Sequence, residues 1–279
     1  MNGRPLLLAY HAIGAWSPAL AIPEQALRAQ LSLLRRRGYV GFTAAEAERR
    51  RQDGTLAARA VVVTFDDGFR SVLRARPILE EIGFPATVFA VTSFVESGEP
   101  LRWPGMEHAE ESHLLPLRWP ELELLREAGW EVGSHTASHP LLPDLGEAAV
   151  ARELVESRAT IEKRLGSCET LAYPYGRADE RTATAAAQAG YLAAFTLSRA
   201  HRPDEPLRRP RLGLRDIDRG ARLRLRLSRA ATFTRRSRAA AAASGLRRAL
   251  LPRPGWLPAP PETRQRHVPS ISSRRWRAS

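Results

Sequence analysis

The sequence predicts an α/β chain folded as a closed or nearly closed β/α barrel, and two patterns carry that expectation. Seven short segments are nearly unbroken apolar runs, as strands buried on both faces of a sheet must be, and helical periodicity fills most of the gaps between them. Such alternation argues a parallel sheet with helices outside it. An open doubly wound sheet shares the pattern, but the first strand is not followed by the glycine fingerprint of a nucleotide-binding version.

Leu6 to Tyr10 is the first strand, and Leu27, Leu31 and Leu34 follow at helical spacing with Gly38 at the expected C-cap. Ala60 to Phe65 (AVVVTF) is the second strand; the helix around Leu73 to Ile82 must admit Pro77 in its first turn or kink there. Ala86 to Val91 is the third strand. Residues 92–118 then read as one long connection carrying Trp103, His108 and His113, either a mobile surface loop or a lip over a groove. Leu122, Leu125 and Ala128 precede the fourth strand, Trp130 to Ser134. Val150, Leu154, Ile161 and Leu165 stripe a long helix that stops at Gly166. Leu171 to Tyr173, an Ala-rich helix over 179–189, Tyr191 to Thr196, and Arg211 to Leu214 complete the set.

Charge divides the chain. The first 219 residues hold 28 Lys+Arg against 29 Asp+Glu, or −1, whereas the remainder holds 15 Arg and a single acidic residue, Glu262, or +14, so all of the excess charge sits at the end. We expect one globular domain over 1–230 and an Arg/Ala/Pro-rich tail over 231–279, largely disordered because it offers little apolar surface to bury. Leu223, Leu225 and Leu227 alternate with arginines as an edge strand or a terminal helix would. No zinc-finger, RNA-recognition or helix-turn-helix pattern accompanies the basic tail, so no specific nucleic acid is expected; weak contact with an anionic membrane surface is the next reading. No apolar run reaches 18 residues and the amino terminus lacks a secretory leader pattern, which predicts a cytoplasmic protein. A single cysteine, Cys168, excludes an internal disulfide and any Cys-rich zinc site, leaving His and carboxylates as metal ligands.

Two motifs sit where predicted strands end. Asp66-Asp67-Gly68 puts adjacent carboxylates at the exit of a buried strand, which is costly without a compensating cation or donors, although the same triplet is ordinary turn chemistry. Ser134 to His139 (SHTASH) carries His135 and His139 four apart, a spacing that aims both imidazoles at one ion if the segment makes a helical turn. In a β/α barrel, the carboxyl ends of strands form the catalytic face. Two imidazoles and one carboxylate leave open positions on a zinc-like ion, and a second carboxylate is at hand to take a proton from water; hydrolysis of an amide or ester follows.

TFDDG at 64–68, SHTASHP at 134–140 and AYPYG at 172–176 together resemble the first three motifs of the polysaccharide deacetylases, the NodB-homology group of carbohydrate esterases (carbohydrate esterase family 4-like). The resemblance runs from Tyr10-His11 to Pro210-Arg211-Leu212. It implies a distorted (β/α)7 barrel and metal-dependent removal of acetyl groups from N-acetylated, less often O-acetylated, sugars. It implies Asp66 as general base, Asp67, His135 and His139 as ligands of a divalent metal, Zn2+ first, and the Tyr175 N–H as an oxyanion donor on a loop shaped by Pro174 and Gly176. An N-acetylated carbohydrate is the implied substrate.

Two departures stand out. Where many members carry an arginine that pairs with the base, this chain has Ala172; Arg211 is the candidate replacement, against the reading of an ordinary solvated arginine. The late leucine-x-x-histidine motif that supplies the general acid is not found, leaving His11 and His201 as substitutes. A same-fold amidohydrolase of non-sugar amides and a degenerate, non-catalytic glycan-binding module are the alternatives.

Overall fold

The computed structural model describes residues 4–17, 20–103, 106, 109–197 and 205–228. His108, His201 and the tail from residue 231 lie outside the described residues. In chain order the elements are β1 Leu6–Tyr10, α1 Glu24–Arg36, β2 Val40–Phe42, α2 Ala44–Gln52, β3 Ala60–Phe65, α3 Arg76–Ile82, β4 Ala86–Ala90, α4 Thr92–Ser97, α5 Trp119–Glu127, β5 Glu131–Ser134, α6 Glu147–Leu165, β6 Thr170–Ala172, α7 Glu180–Gln188 and β7 Ala193–Thr196. A closing strand, β8, consists of Arg209–Pro210 and Leu212–Gly213 on either side of Arg211, and α8 spans Gly220–Leu227.

Every ladder of the main sheet is parallel, and the order β7-β6-β5-β4-β3-β1 is joined end to end by β8, whose first half pairs with β7 and second half with β1. The strand order thus closes on itself through β8. An eighth strand, β2, has no counterpart in the sequence reading: it pairs with the start of β3 (Val40↔Ala60 to Phe42↔Val62), while β4 takes the same edge further along (Val63↔Ala86 to Phe65↔Val88). Seven strands form the ring and β2 is wedged in below β4, which is the distortion in the (β/α)7 plan.

The buried runs behave as expected: all six residues of β3 and all five of β4 are buried. Val150, Leu154, Ile161 and Leu165 form the buried stripe of α6, which ends at the left-handed Gly166. Pro77 sits in the first turn of α3, after a 3-10 segment at Arg70–Ala75, so no kink results. Leu223 and Leu227 are buried one turn apart on α8 while Leu225 is exposed, deciding for helix over edge strand. Inside the ring, Leu7, Val62, Phe89, Ala172, Ala193 and Phe195 pack with Phe42, Ala44 and Ala47, so α2 plugs the amino-terminal end of the barrel. The opposite end is where the motifs emerge.

Candidate metal centre and active site

The ladder between β1 and β3 continues one bond past the strand, Asp66 N donating to Tyr10 O (2.9 Å), and the chain then turns through Asp67 in the left-handed region (φ 69°) and Gly68 (φ 76°). Both carboxylates are buried. Asp66 is clasped by Arg211: Nη1 donates to Oδ1 at 2.6 Å and Nη2 to Oδ2 at 2.7 Å, while Nη1 also reaches Thr64 Oγ1 at 2.8 Å. The Arg211 side chain has no solvent exposure and lies over the rings of Phe89 (5.4 Å) and Phe195 (5.9 Å). Ala172 pairs with Phe195 in the β6–β7 ladder, and its small side chain belongs to the same interior cluster as both rings. Arg211 is therefore no solvated arginine; it enters from the closing strand. Burial alone opposes ionisation of Asp66, but the Arg211 and His135 charges hold its carboxyl below the usual aspartate range.

The histidine pair is presented differently from the one-turn helix that its spacing suggests. Residues 135–140 form a loop, with Thr136 (φ 70°) and His139 (φ 64°) both left-handed. Thr136 Oγ1 accepts from His139 N (3.0 Å), and Glu153 on α6 accepts from Ala137 N and Ser138 N (2.9 Å each) and from Ser138 Oγ (2.6 Å). The loop is thus gripped from below by a helix. His135 Nδ1 lies 2.7 Å from Ala172 O, a bond that makes Nδ1 the protonated nitrogen and turns the Nε2 lone pair inward. Both imidazoles converge on one carboxylate oxygen: His135 Nε2 is 3.2 Å and His139 Nε2 3.3 Å from Asp67 Oδ1.

These contacts test whether a metal fits. The ligand atoms of Asp67, His135 and His139 lie within 4.8 Å of one another, and all three residues are buried. Ligand atoms around a tetrahedral ion at about 2.0–2.1 Å sit roughly 3.3 Å apart, so the spacing and the N,N,O donor set suit a divalent ion such as zinc. Burial would by itself push the Asp67 carboxyl up, but the two imidazoles hold it well below the usual range. His135 is held above its ordinary value by Asp67 and Asp66 against the cost of burial; His139 is pushed down by burial.

Tyr175 stands in the third loop with φ 57°, its side chain largely exposed and its ring 4.8 Å from that of His139. Gly176 N donates to Tyr173 O (2.9 Å) and Arg177 N to Pro174 O (3.2 Å); the Tyr175 N–H takes part in neither turn bond. Gly176 is itself left-handed (φ 64°), and a Cβ there would meet Leu197 N at 2.6 Å. His11 is half-buried immediately after β1 and is among the smaller influences that lower the Asp66 and Asp67 carboxyls. Among the described residues, the non-glycine residues with positive φ are Asp67, Thr136, His139 and Tyr175. All four belong to this site, and left-handed strain persists only where surrounding structure over-determines it.

Residues 92–118 do not form one open connection. They begin with α4, include a 3-10 turn at Glu111–His113, and are stitched to the Asp66-Asp67-Gly68 turn by Leu117 N to Gly68 O (2.8 Å) and Arg70 N to Leu115 O (2.8 Å). Trp103 packs on His139, and His113 stacks on Trp16 (ring centroids 5.4 Å apart). Glu153 had no signal in the sequence; only the fold brings it under the loop.

The polysaccharide deacetylase family model matches residues 53–194. The chain belongs to the polysaccharide deacetylase family. Its members are hydrolases of non-peptide carbon–nitrogen bonds. YxkH of Bacillus subtilis (strain 168), provisionally named a polysaccharide deacetylase, is 28% identical over 193 residues, covering 68% of this chain and 63% of YxkH. The poly-beta-1,6-N-acetyl-D-glucosamine N-deacetylase of Escherichia coli (strain K12) is 36% identical over 80 residues, 28% of this chain and 12% of that enzyme. The chain thus spans less than two thirds of the length of either relative. Among solved structures, the Streptococcus pyogenes deacetylase PplD in complex with acetate superposes with a TM-score of 0.70 at 23% identity, covering 82% of this chain and all of PplD, and it supports the fold. No helix among the described residues is long and apolar enough to cross a membrane.

Proposed function

We propose that this deacetylase hydrolyses the N-acetyl group of an N-acetylhexosamine unit in a polysaccharide or glycoconjugate, using a divalent ion, Zn2+ first, held by Asp67, His135 and His139. The observation that carries the reading is the convergence of both imidazoles on Asp67 Oδ1, with Asp66 beside it kept ionised by a two-pronged arginine. The ion supplies Lewis-acid polarisation of the acetyl carbonyl and lowers the pKa of nearby water. Asp66 takes the proton of the attacking water as its oxygen bonds to the acetyl carbon. Tyr175 N–H, on a loop fixed by Gly176, donates to the oxygen that gains negative charge. His11 gives a proton to the sugar nitrogen as the C–N bond breaks, so acetate and a free amine leave. The N-acetylglucosamine specificity in the name of the Escherichia coli relative supports the choice of amide.

Ala172 in place of the family's arginine would favour a degenerate binding module if the base were left unpaired. Arg211 pairs with Asp66 from the closing strand β8, two places along the ring from β6, which supports the catalytic reading. Purified protein with zinc is expected to release acetate from an N-acetylglucosamine oligomer, to lose activity on chelation, and to regain it on adding zinc back. Asp66→Asn is expected to abolish release while the protein still binds one zinc. Undiminished acetate release by that variant would remove Asp66 from the mechanism, and a wild-type protein that takes up no metal would overturn the reading.

A further inference from the structure

The two imidazoles of the proposed metal group are oriented by different means. His135 has its hydrogen bond to Ala172 O, the usual way a protein fixes the rotation of a ligating ring. His139 has none: its Nδ1 is buried without a hydrogen-bond partner among the described residues. The backbone is fixed by the Thr136 Oγ1 contact, but that leaves both side-chain torsions of His139 undetermined. The rings of His135 and Tyr175 lie tilted against it at 4.8 Å each, and the flat contact is Trp103, stacked on it at a centroid distance of 4.0 Å and an interplanar angle of 19°.

The indole is itself located by packing rather than by a polar contact, since its Nε1 is also buried without a partner among the described residues. Phe94 meets it edge-on at 5.4 Å and 90°. Phe94 lies on α4, and the first turn of α4 is bonded to the histidine loop by Thr92 N to Thr136 O (3.3 Å) and Ser93 N to Ala137 O (3.0 Å). Leu101 N to Leu114 O (2.7 Å) anchors the segment just before Trp103. Imidazole, indole and phenyl therefore form a short packed series that begins on the histidine loop and ends on the helix bonded to it.

We propose that Trp103 is a positioning residue for His139, holding Nε2 on Asp67 by ring stacking in place of the hydrogen bond that His139 lacks. The proposal rests on the metal-site reading. Rotation of the His139 ring would carry Nε2 off Asp67 and expose an unpaired nitrogen to the apolar side, and a flat partner 4.0 Å away blocks that rotation.

Zinc affinity measured by competition with a chromophoric chelator tests it in wild type, Trp103→Leu, Trp103→Phe and Asp67→Asn, with melting of each metal-free protein recorded alongside. Loss of an orienting contact around a ligand typically weakens metal binding about 10- to 100-fold, and that loss is expected for Trp103→Leu. Trp103→Phe, which keeps a stacking ring, is expected to recover most of the affinity even if its melting temperature falls as far as that of Trp103→Leu. A role in core packing alone would move melting without moving affinity. Because Trp103→Leu tests folding as well, a second measurement uses the wild type: zinc should change tryptophan emission, and the change should vanish in Trp103→Phe while zinc still binds. Trp103→Leu binding zinc as tightly as wild type, or a zinc-induced emission change that persists in Trp103→Phe, overturns the proposal with the metal site intact. Wild type and Asp67→Asn alike failing to bind zinc overturns the metal-site reading itself.

Discussion

At the scale of single residues, the decisive contact is made across 145 positions by Arg211 and Asp66, both buried. Removing one partner of such a pair strands the other charge, which costs about 3–5 kcal/mol. Arg211→Met is therefore expected to lower unfolding free energy by that order in denaturant melts and to abolish acetate release. Arg211→Lys keeps the charge but not the two-pronged geometry, so it should recover part of the stability and little of the turnover. Equal stability of Arg211→Met and wild type would show the pair to be solvated in solution. Asp66, Asp67, His135 and His139 were legible because each motif is contiguous and follows an unmistakable strand. Arg211 was legible only as one candidate in an arginine-rich chain, because burial, not identity, separates it from the rest. Glu153 was illegible: a glutamate on a helix 15 positions beyond Ser138 looks like any solvated face.

Elements were read well where burial on both faces forces a continuous apolar run, and poorly where a short segment pairs along part of one edge. β2 is three residues long, with Val40 largely exposed and Gly41 required because a Cβ there would lie 2.8 Å from the Phe84 ring. Nothing in Val-Gly-Phe announces a strand. The four-residue histidine spacing misled for a related reason: spacing fixes a helical turn only if the backbone is helical, and here two left-handed residues deliver the rings instead. Such loops depend on their glycines. Gly176→Ala imposes a left-handed alanine, about 1–2 kcal/mol, and drives its Cβ against Leu197. The Tyr175 amide should shift while the three candidate ligands, which lie on other loops, stay in place. Acetate release is expected to fall at least tenfold with zinc affinity unchanged; a parallel loss of zinc would mean that the third loop also shapes the metal centre.

The whole molecule separates chemistry from closure: strand exits gather the charged site at one end, while α2 seals the other through a polar set of buried Glu48 and Arg209 and half-buried Glu131. Glu48 on α2 pairs with Arg209 on β8 at 2.8 Å, and Glu131, opening β5, accepts from Ala45 N (2.8 Å), Thr87 Oγ1 (3.1 Å) and Thr170 Oγ1 (2.5 Å). Those three donors tie the plug to β4, β5 and β6. Burial nevertheless pushes the Glu131 carboxyl above the ordinary glutamate value, outweighing the pull of Thr170, Ala45 and Thr87. The folded chain then holds this proton more tightly than the unfolded one, so the contribution of Glu131 to stability is full below the ordinary value and declines as pH rises through the raised one. Urea unfolding of wild type and Glu131→Gln from about pH 4 to pH 7 isolates the effect, because the other titrating groups are common to both proteins. The stability of wild type relative to the variant is expected to fall across the lower part of that window and then level. A difference that stays flat, or grows with pH, would mean that the three donors outweigh burial and that the plug is fastened by an ordinary ionised carboxylate.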